Sequence, residues 1–287
     1  MTASASSATT YAPTPASPPL TRRNGGPLGL LALQVRTEVL AAFRSIEFVI
    51  GVVAVPVLLY AMFGLPGASI TLPAGTPYGV MMLVSLSAYG IVSLAIFTFG
   101  DELAAERGRG WTRTLRATPL PSWVHLSGKM AMAVIYATLI VVTMSAVAVL
   151  AGGLSLDAWN WLAFAAVMLA GVLAFSTLGF AIAYLVRPRA AAAIANLIFL
   201  PLSFCSGFFF PLSELPGFLS TLAVWLPTYH FGQLAWRQMA PASDVAAFTG
   251  IPTASAVVHL AWVLGSAVVF GASALLAARR EGVARRA

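Results

Sequence analysis

Apolar runs long enough to cross a bilayer recur along this sequence, and short stretches between them hold nearly all of its charge. A hydrocarbon core about 30 Å thick demands about twenty consecutive apolar residues in helical form, because lipid offers the backbone no hydrogen-bond partner. Such a pattern restricts the chain to one fold class, an all-α polytopic integral membrane protein. Composition agrees: 59% of the residues are hydrophobic and 9% charged, against about 45–50% and about 25% in soluble domains. A formal net charge of +7 would suggest nucleic acid in a soluble protein. Here the basic residues stand at helix ends and in short loops, where they set topology instead. The single cysteine, Cys205, lies in an apolar run, which excludes a disulfide framework and a cysteine metal site.

Residues 1–26 are rich in Ala, Ser, Thr and Pro and are expected to form a disordered tail, since they cannot bury a core. They lack the basic and apolar regions of a cleavable signal peptide. Residues 27–45 read as a helix with Leu28, Leu31, Val35 and Val39 on one side and Arg36, Glu38 and Arg44 elsewhere. It either lies in the membrane interface or extends the first span on the cytoplasmic side. A membrane domain over residues 46–279 follows, then a basic tail over 280–287.

Six spans are expected in that domain: Ile46 to Gly64 with Pro56 inside it, Tyr78 to Phe99, Met130 to Ala151, about Asn160 to Val186, Ala190 to Gly207, and Ala254 to Ala278. Fifteen of the sixteen Lys and Arg residues fall on one set of connections and only Arg237 on the other. That asymmetry puts both termini in the cytoplasm, in a cytoplasmic membrane.

Two connections stand out. Gly100 to Lys129 concentrates Asp101, Glu102, Glu106, Arg107, Arg109, Arg113, Arg116 and Lys129, and reads as a polar loop and a contact site for another protein. Phe208 to Met239 is too apolar for a free loop, yet Pro211, Pro216 and Pro227 break it. A re-entrant hairpin of short helices in the outer membrane half fits it, with its backbone buried in protein and with Phe218, Trp225, Tyr229 and Trp236 near the headgroups.

These two stretches carry a resemblance. Glu106-Arg107-Gly108-Arg109-Gly110-Trp111, with Arg113 and Leu115-Arg116-Ala117-Thr118-Pro119-Leu120, resembles the charged signature after the second span of ABC-2 type transporter permeases, the membrane subunits of multidrug and antibiotic exporters. Trp111 stands where that family commonly has Thr. Ser206-Gly207-Phe208-Phe209-Phe210-Pro211-Leu212, with Leu215-Pro216 and Leu226-Pro227, is similar to the segment after the family's fifth span.

The resemblance implies a short cytoplasmic coupling helix docked into an ATPase subunit, carried here by Glu106, Arg107, Arg109, Trp111, Arg113, Leu115 and Arg116. If Arg109 to Ala117 is helical, Arg109, Arg113 and Arg116 share one face and Trp111 and Leu115 another. It also implies a dimer of permease chains, homo- or heteromeric, with the second and fifth spans lining the pathway. Ser85, Tyr89 and Ser93 form a polar stripe on the second, and Asn196, Phe199, Ser203 and Ser206 one on the fifth. Such residues face protein or a cavity, and ordinary helix packing uses them equally. Gly207, Pro211, Pro216 and Pro227 shape the hairpin.

The expected function is therefore that of the permease subunit of an ATP-driven exporter moving a hydrophobic or amphipathic compound outward. No phosphate-binding loop of the G-x-x-x-x-G-K-[ST] type occurs in the sequence, so ATP and Mg are expected to act through a partner subunit. An intramembrane serine protease is excluded, because His259 and Ser273 sit fourteen residues apart on one expected helix, about 21 Å of rise. His125, His230 and His259 lack ligand spacing, so no metal site is expected. No acidic residue lies deep in a span, which disfavours an ion-coupled secondary transporter. The remaining alternatives are a membrane immunity or scaffold protein with the same fold and, less favoured, an ATP-independent secondary transporter.

Overall fold

A computed structural model of the chain describes residues 26–111, 117 and 121–284. The expected tail over 1–26 lies outside these residues except for Gly26. Regular structure among them is helical, with one isolated bridge between Thr71 and Pro77.

Helix α1 is Pro27–Arg44, started by a proline whose missing N–H costs nothing in a first turn. Ser45 leaves the helical region at φ −83°, ψ 92°, so α1 is a helix separate from the first span. Next, α2 runs through Ile46–Val49, a π-helical turn Ile50–Ala54, and Val55–Phe63. Pro56 cannot return a hydrogen bond to the preceding turn, and the widened turn just before it accommodates that gap. α3, Tyr78–Gly108, also contains a π-helical turn, Phe97–Glu102. α4 is Ser122–Leu150 and α5 is Ala158–Leu185. A 3₁₀ turn, Pro188–Ala190, leads into α6, Ala191–Cys205. Two short helices, α7 Gly217–Ala223 and α8 Pro227–Met239, precede α9, Ala242–Thr249, and α10, Ala256–Ala284.

Five helices are long and apolar enough to cross a membrane, and the shorter apolar helix Ile50–Phe63 stands beside them. The expected polar loop from Gly100 to Lys129 is corrected at both ends. Helix continues to Gly108 and resumes at Ser122, so much of that charge sits on helical extensions of α3 and α4.

α3 is the axis of the molecule, with every residue from Gly79 to Ile96 buried. It packs against α2, α4, α5, α6 and α8, while α5 also carries α10 and α4 carries α1. α10 is the least covered of the long apolar helices. The segment after α6 is built of short helices packed into the protein: Gly207 turns the chain at φ +77°, a left-handed conformation that favours glycine, and α8 packs against α3, α5 and α10. Two of its expected headgroup anchors are instead core residues. Tyr229 and Trp236 are buried, whereas Phe218 and Trp225 are exposed. Trp236 Nε1–H reaches Ser85 Oγ at 3.1 Å on α3, a partner that only the folded core supplies.

Candidate functional site: a buried charge cluster beside the coupling segment

Lys129 is completely buried near the start of α4, and three carboxylates surround its ammonium group. Glu106 Oε1 lies 2.9 Å from Nζ, Glu102 Oε1 3.2 Å and Glu38 Oε2 3.4 Å. One turn earlier on α4, the ring of His125 faces two of the same groups: Nε2 is 3.3 Å from Glu106 Oε2, and Nδ1 is 3.6 Å from Glu38 Oε1. Gln34 on α1 donates to Glu38 Oε1 at 2.9 Å and lies 3.3 Å from His125 Nδ1.

Local structure makes this assembly possible. The π-helical turn Phe97–Glu102 adds a residue to α3 just where Glu102 must reach Lys129, and such turns recur at functional sites. Glu106 follows one turn later and approaches the same ammonium. Gly128 lets α1 approach α4 closely, since a Cβ there would meet Gln34 Cγ at 2.5 Å. The cluster thus ties α1, the end of α3 and the start of α4 together. A buried ion set of this kind is costly to desolvate, and removing one partner typically costs about 3–5 kcal/mol.

The predicted coupling residues spread around this cluster. Glu106 is part of it. Arg107 donates to the carbonyl of Ala183 and lies over the Tyr184 ring at 4.4 Å, which fastens the end of α3 to the end of α5. Arg109 and Trp111 are exposed. Arg113, Leu115 and Arg116, with most of the expected helix from Arg109 to Ala117, lie outside the described residues.

The predicted pathway residues divide. Ser85 is buried, bonded to Met81 O and to Trp236; Ser93 is also buried. Tyr89 meets Phe199 at a ring-centroid distance of 5.0 Å and Phe209 at 4.9 Å, and Phe97 meets Phe199 at 5.4 Å. These rings form a continuous aromatic seam between α3, α6 and the turn that follows α6. Ser206 Oγ lies 2.6 Å from Thr228 Oγ1, and Ser203 is buried. Asn196 is exposed and turns its side chain back to Ala192 O. In the hairpin, Pro211 is buried and Pro216 and Pro227 stand at the starts of α7 and α8.

Sequence reasoning did not identify Lys129, Glu38, Glu102 and His125 as one unit. A lysine one residue before an expected apolar span was a signal available for it. The contact between His230 and His259, Nδ1 to Nδ1 at 2.7 Å, joins α8 to α10 and had no such signal at twenty-nine residues' separation.

The chain belongs to the family described as ABC-2 type transporter, whose model matches residues 30–236. It is also similar to a protein of Bacillus subtilis (strain 168) named "Putative transport permease YvfS", at 26% identity over 210 residues, covering 73% of this chain and 85% of that one.

Proposed function

We propose that this permease is the membrane subunit of an ATP-driven exporter, coupled to a cytoplasmic ATPase through the segment that follows Glu106. The observation that carries the reading is the buried Lys129 cluster. It joins α1, α3 and α4 at the base of that segment, so a push on the segment reaches the central helix without being absorbed by a flexible joint. Family membership supports the reading.

In this account Glu106 and Arg107 anchor the segment, while Arg109, Trp111, Arg113, Leu115 and Arg116 meet the ATPase. ATP and Mg act in that partner. Two permease chains form the transporter, in the cytoplasmic membrane with both termini inside. The α3–α6 seam of Tyr89, Phe97, Phe199 and Phe209 is the surface along which a hydrophobic or amphipathic compound moves outward. Its rings offer stacking and apolar contact and no fixed charge.

Inside-out vesicles carrying the chain with its ATPase test this reading. ATP-dependent uptake of an amphipathic fluorescent compound is expected, and lost on Phe199→Ala with ATPase association intact. Absence of ATP-dependent uptake across a panel of amphipathic compounds contradicts it.

A further inference from the structure

At the same end of the molecule as the charge cluster, α5 and α10 part to leave a cavity of about 360 Å³ lined by Tyr184, Leu185, Ser273, Leu276, Ala277 and Arg280. Its walls are mixed. Leu185, Leu276 and Ala277 supply apolar surface, and Arg280 supplies a guanidinium.

The surrounding charge has one sign. Arg279 adjoins Arg280, Arg187 follows Leu185 by two residues, and Arg189 is two further on; all four arginines are exposed. None of the four has an ion pair among the described residues. Arg107 adds a fifth guanidinium 4.4 Å from the centre of the Tyr184 ring. In the sequence, the one acid of this part of α10, Glu281, is outnumbered by Arg279, Arg280, Arg285 and Arg286. Glu106, the acid next to Arg107, is engaged by Lys129 and His125.

We propose that this cavity binds an anionic phospholipid, with the headgroup phosphate on Arg280, the upper acyl chain along Leu185 and Leu276, and the neighbouring arginines adding positive charge. Guanidinium groups match phosphate oxygens by paired N–H donors, and basic pockets between membrane helices hold anionic headgroups. The leucines distinguish a lipid from a free anion, since a soluble phosphate leaves that apolar wall uncovered.

Tyr184 gives the site a consequence. One residue both lines the cavity and carries Arg107 of the coupling segment. A bound lipid therefore buttresses the contact that fastens α3 to α5.

The test is native mass spectrometry of the full chain purified in detergent and titrated with phosphatidylglycerol or with phosphatidylcholine. Wild type is expected to retain phosphatidylglycerol preferentially. Arg280→Gln should weaken retention about fivefold, the effect of one basic residue at a membrane surface, while Arg36→Gln, a basic residue away from the cavity, leaves it unchanged. Leu276→Trp keeps every charge and fills the cavity, so it should abolish the preference while the circular dichroism stays wild type.

Equal retention of the two lipids overturns the proposal. So does retention by Leu276→Trp at the wild-type level, or displacement of the lipid by millimolar inorganic phosphate, which makes the site a simple anion site. None of these readouts requires ATP or a partner, so their outcome is separable from that of the transport reading.

Discussion

Lys129 Nζ lies 2.9 Å from Glu106 Oε1 in a site where the lysine has no exposure at all. The pair joins the first helical turns of α4 to the last turns of α3. Three carboxylates share the one ammonium, so the lysine is the member whose loss does most harm. Lys129→Met should destabilise the chain by about 3–5 kcal/mol, because it leaves acids crowded and unpaired. Adding Glu106→Gln and Glu102→Gln should restore part of that loss. Thermal unfolding in detergent measures both.

Gly128 sets the distance between α1 and α4. A valine there drives its side chain into Gln34, and overpacking of this kind costs about 1–3 kcal/mol. Gly128→Val should also detach α1 from the cluster, seen as faster hydrogen exchange confined to residues 27–44.

Asp244 closes the opposite part of the structure. Its buried carboxylate accepts the N–H groups of Ala74 at 2.6 Å and Thr76 at 2.9 Å, pinning the α2–α3 connection to α9. Burial pushes this carboxyl upward, and the hydrogen bonds from Thr76 and Ala74 outweigh it, so its pKa falls below the ordinary value. A depressed acid stabilises fully above its unfolded pKa of about 3.9 and loses that contribution as pH falls through the lower folded value. The contribution of Asp244, read as the difference between wild type and Asp244→Ala, should therefore be level from pH 7 to pH 5 and decline below about pH 4. Asp244→Ala should cost about 2 kcal/mol at pH 7. Unfolding temperature against pH for both proteins checks the sign.

Trp236 spans α8 and α3 with a hydrogen bond to Ser85 and rings of Phe208 and Phe248 on its faces and edges. Trp236→Phe keeps the packing and drops the bond, for about 1 kcal/mol. Trp236→Ala should cost about 3–5 kcal/mol. Proteolysis within residues 208–239 reports whether the inserted segment loosens in proportion.

The long helices were legible because lipid permits so few backbone solutions that twenty apolar residues suffice to mark one. Pro211, Pro216 and Pro227 marked the inserted segment for the same reason. The helical extensions of α3 and α4 were not legible, since charge ends an apolar window whether or not the helix stops there. Tyr229 and Trp236 were placed at the headgroups by their amphipathic character, and the structure gives their polar atoms partners in Gln233 and Ser85 instead. The charge cluster draws Glu38 from α1, Glu102 and Glu106 from α3 and Lys129 from α4, and periodicity within one helix carries no information about a meeting of three.

The most direct measurement is co-purification of the chain with its candidate ATPase, followed by the ATPase rate in lipid, for wild type and for Arg113→Glu with Leu115→Asp. Wild type is expected to bind and stimulate the ATPase, and the double variant to fold but do neither. Normal binding and stimulation by the variant, or no binding by wild type, would contradict it.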